Sequence, residues 1–417
     1  MSDLPPGWAH APLSALGTEI RGSIAPAPGI AYELYSVPTF PTGLPELLDG
    51  AEIGSAKRPV QPGDVLLCKI NPRINRVWIV GEQQDSRRPQ LASPEYLVLR
   101  TRNADLGRYL LWYLRSPGFR EWIKLSVEGA TGSHTRAKSR PILNQLISVP
   151  SLNEQRRIVA AIEEHLSRLD AADVSTGAAE RRLGALSRQT LAGAINGWPE
   201  RELGDFSRVF VGTTPSRRRP ELWNGNVPWV SSGEVAFCRI STTRETISPE
   251  AVRSSDRVHP AGTVLLGMIG EGKTRGQAAI LDVAAAHNQN SAAIRLEPAV
   301  CLPEWLFYVF MARYEETRRV GSGGQQPALN GAKVGSLRIP VPPLDEQRRI
   351  VAEVEERLGA IDALRAAIER AQRKGAALRR SVLERAFRGE LVSQDPSDEP
   401  ASVLLDRINA EREASST

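Results

Sequence analysis

The chain has 417 residues, 41% of them hydrophobic and 24% charged, and carries a formal net charge of +5. This length predicts more than one domain, because a single core rarely grows beyond about 250–300 residues. There is no apolar run of about 18 residues that could cross a bilayer and no basic-then-apolar leader, so we expect a cytoplasmic protein without a membrane partner. The cysteines and histidines lack the spacings of a disulfide framework or a metal site, and we predict neither.

The first predicted domain covers residues 1–152. Short strands rich in Val, Ile and Leu alternate with Gly and Pro turns, as in GDVLLCKINPRINR (63–76). An amphipathic helix follows at 109–123, and a polar loop, GATGSHTRAKSR (129–140), leads to a last strand, LISVP. This order predicts a small domain of mixed helix and strand.

A long helix is predicted at 153–197, and a second copy of it at 345–391. PSLNEQRRIVAAIEEHLSRLD (150–170) and PPLDEQRRIVAEVEERLGAID (342–362) are identical at 13 of 21 positions, which indicates an internal repeat. Asn153 and Asp345 are the predicted N-caps. Ser175-Thr176-Gly177 predicts a local bend, because glycine weakens a helix interior.

Apolar residues at helical spacing predict that each long helix packs against a partner helix. These packing residues are Ile158, Ile162, Leu166 and Leu169 in the first helix and Ile350, Val354, Leu358 and Ile361 in the second. The stripes continue through Leu183 and Leu186 to Ile195 in the first helix, and through Leu364, Ile368 and Leu378 to Val382 in the second.

The second predicted domain, residues 198–344, repeats the first. GTVLLGMIGEGKTR (262–275) aligns with residues 63–76, and WLFYVFMARYEETRR (305–319) aligns with residues 109–123. The chain therefore consists of a domain, a long helix, a domain, a long helix and a tail at 392–417.

The second domain also contains the spacing of a phosphate-binding loop, GxxxxGK[ST], in Gly267 and Gly272-Lys273-Thr274. Such a loop needs a helix that begins at its Lys-Thr, so that backbone N–H groups face the phosphates. Here Arg-Gly-Gln interrupts a helix start, and the following AILDV is typical of the returning strand of a hairpin. We predict a hairpin, with a nucleotide-hydrolysing enzyme that uses Gly272, Lys273 and Thr274 as an alternative.

Several loops combine residues that suit contacts with DNA. The hairpin loop is basic in both copies although its sequence differs, as expected of a loop that contacts phosphate in both domains and different bases in each. Arg and Lys also bind guanine edges, and Asn and Gln amides bind adenine. For each residue a solvated turn is the alternative. The candidate DNA-binding residues are Lys69, Asn71, Arg73, Arg76, Ser133, His134, Arg136 and Lys138 in the first domain, and Thr213, Thr214, Ser216, Arg217, Arg218, Lys273, Arg275, Gln277, Gln289, Asn290, Gln325, Gln326 and Asn330 in the second.

These features together resemble a known family. Two domains that each end in a PxLxEQRRIV helix, with GTTPS (212–216) opening the second domain and GGQQPALN (323–330) closing it, resemble the specificity subunit of type I restriction-modification systems. The resemblance covers nearly the whole chain. The segment EPASVLLDRINAERE (399–413) resembles the short amphipathic C-terminal helix common in that family.

The resemblance implies an α+β fold with two tandem globular α/β target-recognition domains separated by two long antiparallel coiled-coil helices, an internal repeat with pseudo-twofold symmetry. A helix of 35–40 residues would span about 55 Å, enough to hold two readers about one DNA turn apart. The implied subunit is non-catalytic. It binds double-stranded DNA, and each domain reads one half of a split, asymmetric site.

The implied protein partners are two methyltransferase subunits, docked on the helices, and restriction or translocase subunits. The resemblance implies no cofactor or metal in this chain, with S-adenosylmethionine, ATP and Mg on the partner subunits. In agreement, the sequence has no [DNS]PP[YFW] tetrad for amino-methylation and no PD…ExK nuclease set. Two further functions stay open: a coiled-coil scaffold that binds protein, and a related defence system that methylates without cleavage.

Overall fold

The computed structural model of the chain describes residues 4–125, 135–252, 254–270, 273–320 and 328–414, except the side chains of 412–414. The chain forms two compact units: unit 1 is Met1–Ser175 with Arg370–Thr417, and unit 2 is Thr176–Glu369. Each unit thus contains one of the predicted globular domains and a part of each long helix.

Unit 1 is built from small sheets with strand orders β2-β9-β6-β7, β4-β3-β8-β5 and β1-β10. The strands are β1 (Ala9–Pro12), β2 (Gly17–Glu19), β3 (Ala31–Tyr35), β4 (Glu46–Asp49), β5 (Arg58–Pro59), β6 (Val65–Cys68), β7 (Val77–Ile79), β8 (Gln90–Ala92), β9 (Tyr96–Thr101) and β10 (Leu146–Val149). The helices are α1 (Leu13–Leu16), α2 (Ala104–Arg115), α3 (Pro117–Leu125), α4 (Ser139–Asn144) and the long α5 (Leu152–Ile195).

Unit 2 repeats this plan with strand orders β12-β19-β16-β17-β14, β15-β13-β18 and β11-β20. Its strands are β11 (Glu200–Glu202), β12 (Ser207–Val211), β13 (Trp223–Val230), β14 (Cys238–Ile240), β15 (Glu245–Ile247), β16 (Val264–Gly267), β17 (Ala278–Leu281), β18 (Ala286–His287), β19 (Ser291–Leu296) and β20 (Arg338–Pro340). Its helices are α6 (Pro303–Ala312), α7 (Tyr314–Val320), α8 (Gly331–Gly335) and the long α9 (Leu344–Ala386), which is followed by α10 (Ala401–Ala414).

The central strand of each unit is buried on both faces. In β6, Val65 and Leu67 pack in the cluster that contains α2, whereas Leu66 and Cys68 pack against Trp78 on the other face. This explains why the strand is a continuous apolar run in the sequence rather than an alternating one. The predicted α+β class is confirmed.

Both long helices begin one residue earlier than predicted. Ser151, not Asn153, caps α5, because its hydroxyl accepts a hydrogen bond from the backbone N–H of Glu154 (3.0 Å). Helix α9 begins at Leu344, which places Asp345 in the first turn. The bend predicted at 175–177 does not interrupt α5, where the Ser175 hydroxyl donates to the carbonyl of Ala171 (2.9 Å).

Both long helices also end earlier than predicted, α5 at Ile195 and α9 at Ala386. A glycine with positive φ follows each end, Gly197 at 84° and Gly389 at 75°. Glycine adopts this left-handed conformation without steric cost and is common just after a helix.

Within each unit the long-helix segments run antiparallel. In unit 1, Arg379 of α9 forms ion pairs with Asp170 and Asp173 of α5 (2.7 and 2.8 Å), and Ala386 further along α9 shares a cluster with Ile158 near the start of α5. In unit 2, Leu191 and Ile195 near the end of α5 pack with residues at the start of α9.

Most predicted packing residues lie in these seams. Ile158, Ile162, Leu166, Ile350, Val354 and Ile361 are buried, and Leu169 and Leu358 are partly buried. Three of the later stripe positions were predicted wrongly: Leu186, Leu364 and Leu378 are 47%, 54% and 45% exposed. Leu183 and Ile195 are buried, and Val382 packs against the core of unit 1. The stripe in the sequence is therefore wider than the surface that the partner segments cover.

The tail belongs to unit 1. Ala401, Leu404 and Ile408 of α10 join its core, and the Ala401 N–H donates to the carbonyl of Gly7 (2.9 Å). Asp398 accepts hydrogen bonds at the start of α5 from Ser151 (3.0 Å), Asn153 (3.2 Å) and Arg157 (2.7 Å). Among the described residues, no helix has the length and apolar character needed to cross a membrane.

Candidate nucleic-acid interface

The glycine-rich segment of unit 2 forms a β-hairpin. Strands β16 and β17 pair antiparallel, and the Gly276 N–H donates to the carbonyl of Gly267 (2.8 Å). Because the chain returns as a strand, no helix begins at Lys273 and Thr274 within the described residues, as a phosphate-binding loop requires. The nucleotide-binding alternative is therefore wrong; its Gly272 lies outside the described residues.

The two basic residues of this hairpin differ in exposure. Lys273 is exposed, and its carbonyl accepts a hydrogen bond from the Tyr314 hydroxyl at the start of α7 (2.6 Å). Arg275 is only 8% exposed. This burial argues against the direct DNA contact predicted for Arg275, since its Nε atom is also buried.

The corresponding hairpin of unit 1 joins β6 to β7. Asn71 and Asn75 adopt positive φ (47° and 52°), a conformation that asparagine tolerates better than most residues. The Asn75 amide donates to the carbonyl of Leu114 at the end of α2 (2.8 Å). Arg73 is exposed at the loop, whereas Arg76 is half-buried at its base.

In unit 2 the structure joins two motifs that are far apart in sequence. The Thr213 N–H of GTTPS donates to the carbonyl of His287 (2.9 Å), and the Thr214 hydroxyl donates to the amide oxygen of Gln289. Trp229 fixes the same loop by donating its indole N–H to the carbonyl of Thr213 (3.1 Å). Thr214 and Gln289 thus form one exposed polar patch.

The approach of these two loops requires a glycine. A Cβ atom on Gly212 would lie 2.2 Å from the carbonyl oxygens of His287 and Asn288. Since real contacts are never this short, any side chain at position 212 would push the loops apart.

Arg217 is held by its neighbours. Its guanidinium lies 3.6 Å from the ring centre of Trp223 and donates to the carboxylate of Glu245 (2.8 Å). The Arg217 side chain is therefore held within its own loop while it stays 58% exposed. Ser216 and Arg218 beside it are exposed.

Two buried histidines lie beneath the joined loops. The His259 and His287 rings are 5.0 Å apart, and Arg295 donates its Nε–H to Nδ1 of His259 (3.0 Å). Burial lowers the pKa of His259 to about 3 and that of His287 to about 4. Both rings are thus neutral at physiological pH. Neither was predicted to support the loops, because the sequence spacing of the two residues gives no sign that they meet.

The remaining candidates of unit 2 lie near the same loops. Asn330 is exposed, and its side-chain oxygen caps α8 by accepting from the Lys333 N–H (2.8 Å). Gln277 and Asn290 are half-buried. Gln325 and Gln326, like Ser133 and His134 in unit 1, lie outside the described residues.

In unit 1 a basic cavity of about 420 Å³ opens beside the start of α4. It is lined by Lys69, Arg136, Ala137, Lys138 and Ser139. Lys69 is 7% exposed, whereas Arg136 and Lys138 are exposed at the rim. Arg136 also forms an ion pair with Glu95 (3.0 Å).

The arrangement is one of polar loops on a rigid frame. Within the described residues, no cluster of three or more His, Cys, Asp or Glu side chains could hold a metal ion. What the loops offer is a set of hydroxyl, amide and basic groups, the groups that contact phosphates and base edges in DNA.

Comparisons with known proteins agree with the sequence resemblance. A family model described as the type I restriction modification DNA specificity domain matches residues 195–374. The chain is 23% identical to the EcoKI specificity subunit of Escherichia coli strain K12, covering 99% of this chain and 97% of that one. Residues 195–374 therefore match that family's DNA specificity domain, and the chain is similar to type I restriction-modification specificity subunits along nearly its whole length.

Further proteins are similar to this chain over different shares of its length. The specificity subunit of the E. coli EcoR124I/EcoR124II enzyme is 25% identical over 261 residues; the match covers 60% of this chain and 62% of that subunit. A chain from a solved type I R-M system shares the fold with a TM-score of 0.79 at 22% identity, covering 94% of this chain and 100% of that one.

Proposed function

We propose that this specificity subunit selects the DNA sequence on which a type I restriction-modification complex acts. Each unit would read one half of a bipartite, asymmetric site in double-stranded DNA. The subunit itself would be non-catalytic. Methylation and cleavage would be carried out by partner subunits, which would also hold S-adenosylmethionine, ATP and Mg.

The observation that carries the proposal is the meeting of sequence-distant loops in unit 2. The Met268 N–H donates to the carbonyl of Asn290 (2.8 Å), and the Leu329 N–H donates to the carbonyl of Met268 (3.0 Å). With the bond from Thr213 to His287, these contacts link GTTPS, HNQN, the hairpin and the segment at Leu329. Exposed polar side chains on a rigid frame are what direct base readout requires.

We further propose that the long helices dock two methyltransferase subunits and that restriction or translocase subunits join this assembly. The exposed apolar residues Leu186, Leu364 and Leu378 support this role, because they extend the packing stripe beyond the surface that the chain itself covers.

Mapping of methylated bases tests the function directly. DNA from cells that express this chain with its neighbouring methyltransferase subunit would be sequenced by a single-molecule method, beside DNA from cells with the methyltransferase alone. We expect a split motif, with two short specific halves around a fixed gap, only when this chain is present. Absence of the motif, with a methyltransferase shown to be active with another specificity subunit, would favour a scaffold that binds protein.

A further inference from the structure

The backbone identifies one position in the two units as equivalent. In unit 1 the Lys69 N–H donates to the carbonyl of Glu95 (2.9 Å), and the Lys69 carbonyl accepts from the Ala137 N–H (2.9 Å). In unit 2, Met268 makes the same two bonds, to Asn290 (2.8 Å) and from Leu329 (3.0 Å). Lys69 and Met268 therefore occupy the same place in the two frames.

The neighbours of this position can be matched in the same way. Glu95 and Asn290 each precede a central strand, and Lys138 and Asn330 are the N-cap residues of α4 and α8. Arg136 directly precedes Ala137, and Ala328 directly precedes Leu329, so Arg136 and Ala328 are also equivalent. Unit 1 thus places Lys, Glu, Arg and Lys where unit 2 places Met, Asn, Ala and Asn.

In unit 1, the three cations of this set, Lys69, Arg136 and Lys138, line the basic cavity. Lys69 lies almost fully buried at its floor, and its pKa is lowered by burial and by the nearby charges of Arg58 and Arg136, against which Glu95 and Glu19 act weakly. Cations that repel one another around a cavity are stabilised when an anion enters it.

In unit 2 the same place lacks the cationic floor. Met268 is 2% exposed, and the Asn330 side chain caps α8. Lys333 reaches this segment, but its ammonium donates to the carbonyl of Ala328 (3.3 Å).

We infer that Lys69, Arg136, Lys138 and Ser139 form an anion site of unit 1 that holds one phosphate of the DNA backbone, and that unit 2 lacks this site. The inference rests on the proposed function and adds an asymmetry to it. Unit 1 fixes its half of the duplex through a phosphate pocket, and unit 2 presents amides at the matching position.

The shape of the site favours a phosphate over a base. A base edge lies in the floor of a groove and must be reached by a projecting side chain, whereas a phosphodiester projects from the duplex and can enter a cavity. Lys69 lines a cavity and is only 7% exposed, so it does not project from the surface. The hydroxyl of Ser139 and the cations of the rim complete a set of donors that suits a phosphoryl oxyanion.

The test compares the salt dependence of DNA binding in matched variants. The full chain, assembled with its methyltransferase partner, binds a fluorescently labelled duplex that carries the mapped site. Lys69→Met introduces the residue that unit 2 carries, Lys69→Arg retains the charge, and Arg87→Met removes an exposed turn cation outside the cavity. Anisotropy titrations give the slope of log affinity against log salt.

We expect Lys69→Met to reduce affinity roughly tenfold at low salt and to make the slope less steep by up to about 0.9, the value for one phosphate contact. For Lys69→Arg and Arg87→Met, both the affinity and the salt slope should stay near the wild-type values. The loss of affinity caused by changing one base pair of the DNA site should be the same in all variants as in the wild type. A quadruple variant should lose the whole contribution of the site to affinity and to the salt slope, because it gives unit 1 the four residues of unit 2. This graft combines Lys69→Met, Glu95→Asn, Arg136→Ala and Lys138→Asn.

Three outcomes overturn the inference, and each is distinct from failure of the proposed function. An unchanged slope in Lys69→Met and in the graft would remove the pocket from the interface. Loss of discrimination at a single base pair would assign Lys69 to base readout. Selective competition by inorganic phosphate, with no change in the DNA slope on substitution, would make the site one for free phosphate. If the wild-type complex itself showed no salt-dependent binding, the proposed function would fail first.

Discussion

In unit 1 the Tyr109 hydroxyl donates to the carbonyl of Ser148, and in unit 2 the Trp305 indole donates to the carbonyl of Pro340, each at 2.7 Å. Both donors lie on the first helix after the central sheet, and both acceptors lie on the strand that precedes a long helix. The same helix is therefore fastened to the same strand by different chemistry. The two units keep the same backbone carbonyl as the acceptor, but the side chain that donates to it differs between them.

The glutamine of the repeated EQRRIV motif is the exception, since it has the same anchoring role in both units. Gln155 donates to the carbonyl of Pro150 (3.0 Å), and Gln347 donates to the carbonyl of Pro342 (2.8 Å). Both side chains are fully buried. A buried amide that fixes the start of a long helix to its domain gives a physical reason for the identity of the two copies at this position.

The largest expected effect comes from the anchor of unit 2. Trp305→Ala should lower the free energy of unfolding by about 3–5 kcal/mol, because it opens a large cavity and leaves the Pro340 carbonyl without its donor. Tyr109→Phe in unit 1 should cost only about 1 kcal/mol, since it removes the hydrogen bond and keeps the ring. Chemical denaturation of the full chain, followed by circular dichroism, measures both. Equal losses would contradict this prediction, because removal of one hydrogen bond in unit 1 would then cost as much as removal of the whole anchoring side chain in unit 2.

The two glutamines should differ in the cost of their removal. Gln347 also donates to the carbonyl of Val300 (2.8 Å) and accepts from the Leu302 N–H (2.9 Å), whereas the side-chain oxygen of Gln155 is buried without a partner. Gln347→Leu should therefore destabilise the chain by about 2–4 kcal/mol and Gln155→Leu by about 1 kcal/mol or less. Thermal unfolding of the two variants side by side tests this order. A larger loss for Gln155→Leu would contradict it.

The sequence was sufficient to predict the elements that depend on local pattern. The repeat located both long helices to within a few residues, and the interruption after Thr274 predicted the hairpin instead of a phosphate-binding loop. Helical spacing and turn residues are local signals, and they survive divergence of the two copies.

The sequence was not sufficient where burial or long-range contact decides the role of a residue. Arg275 and Lys273 belong to one basic loop, yet only Lys273 is exposed. The contact of GTTPS with HNQN joins residues about 75 positions apart and depends on the sheet that carries both. The pair Gly7-Trp8 and Gly197-Trp198, which precedes equivalent strands, was missed because two residues are too short a repeat to detect.

Substitutions at Lys273 and Arg275 should have smaller effects. They distinguish a residue that contacts DNA from one that stabilises the hairpin. Lys273→Ala should reduce the DNA affinity of the assembled complex a few-fold and leave the unfolding midpoint unchanged, because the side chain is exposed. Arg275→Met should lower the unfolding midpoint, because the side chain is buried in the hairpin. Anisotropy and thermal unfolding distinguish the two. Unchanged affinity in Lys273→Ala would remove this loop from the DNA interface.

The smallest expected effect concerns the tail, which only unit 1 has. The hydrogen bond from Arg157 holds the pKa of Asp398 below its ordinary value of 3.8, and the bonds from Ser151 and Asn153 act in the same direction. A carboxyl whose pKa is lowered in the folded state stabilises that state above its ordinary pKa, and the contribution is lost as the pH falls through the folded value. Helix α10 should therefore be held at neutral pH and loosen below about pH 3.8.

Asp398→Asn should loosen the same segment at pH 7, because the amide keeps the shape of the side chain but removes the charge that pairs with Arg157. Hydrogen exchange of α10 in the full chain measures the change, and Asp395→Asn is the matched control, since Asp395 bonds only locally to Ser397 (2.7 Å). Faster exchange in Asp398→Asn alone would show that one ion pair fastens the tail to the start of α5. Equal exchange in both variants would assign that role to the apolar contacts of Ala401, Leu404 and Ile408, and the tail would then be held by packing, as the long helices are.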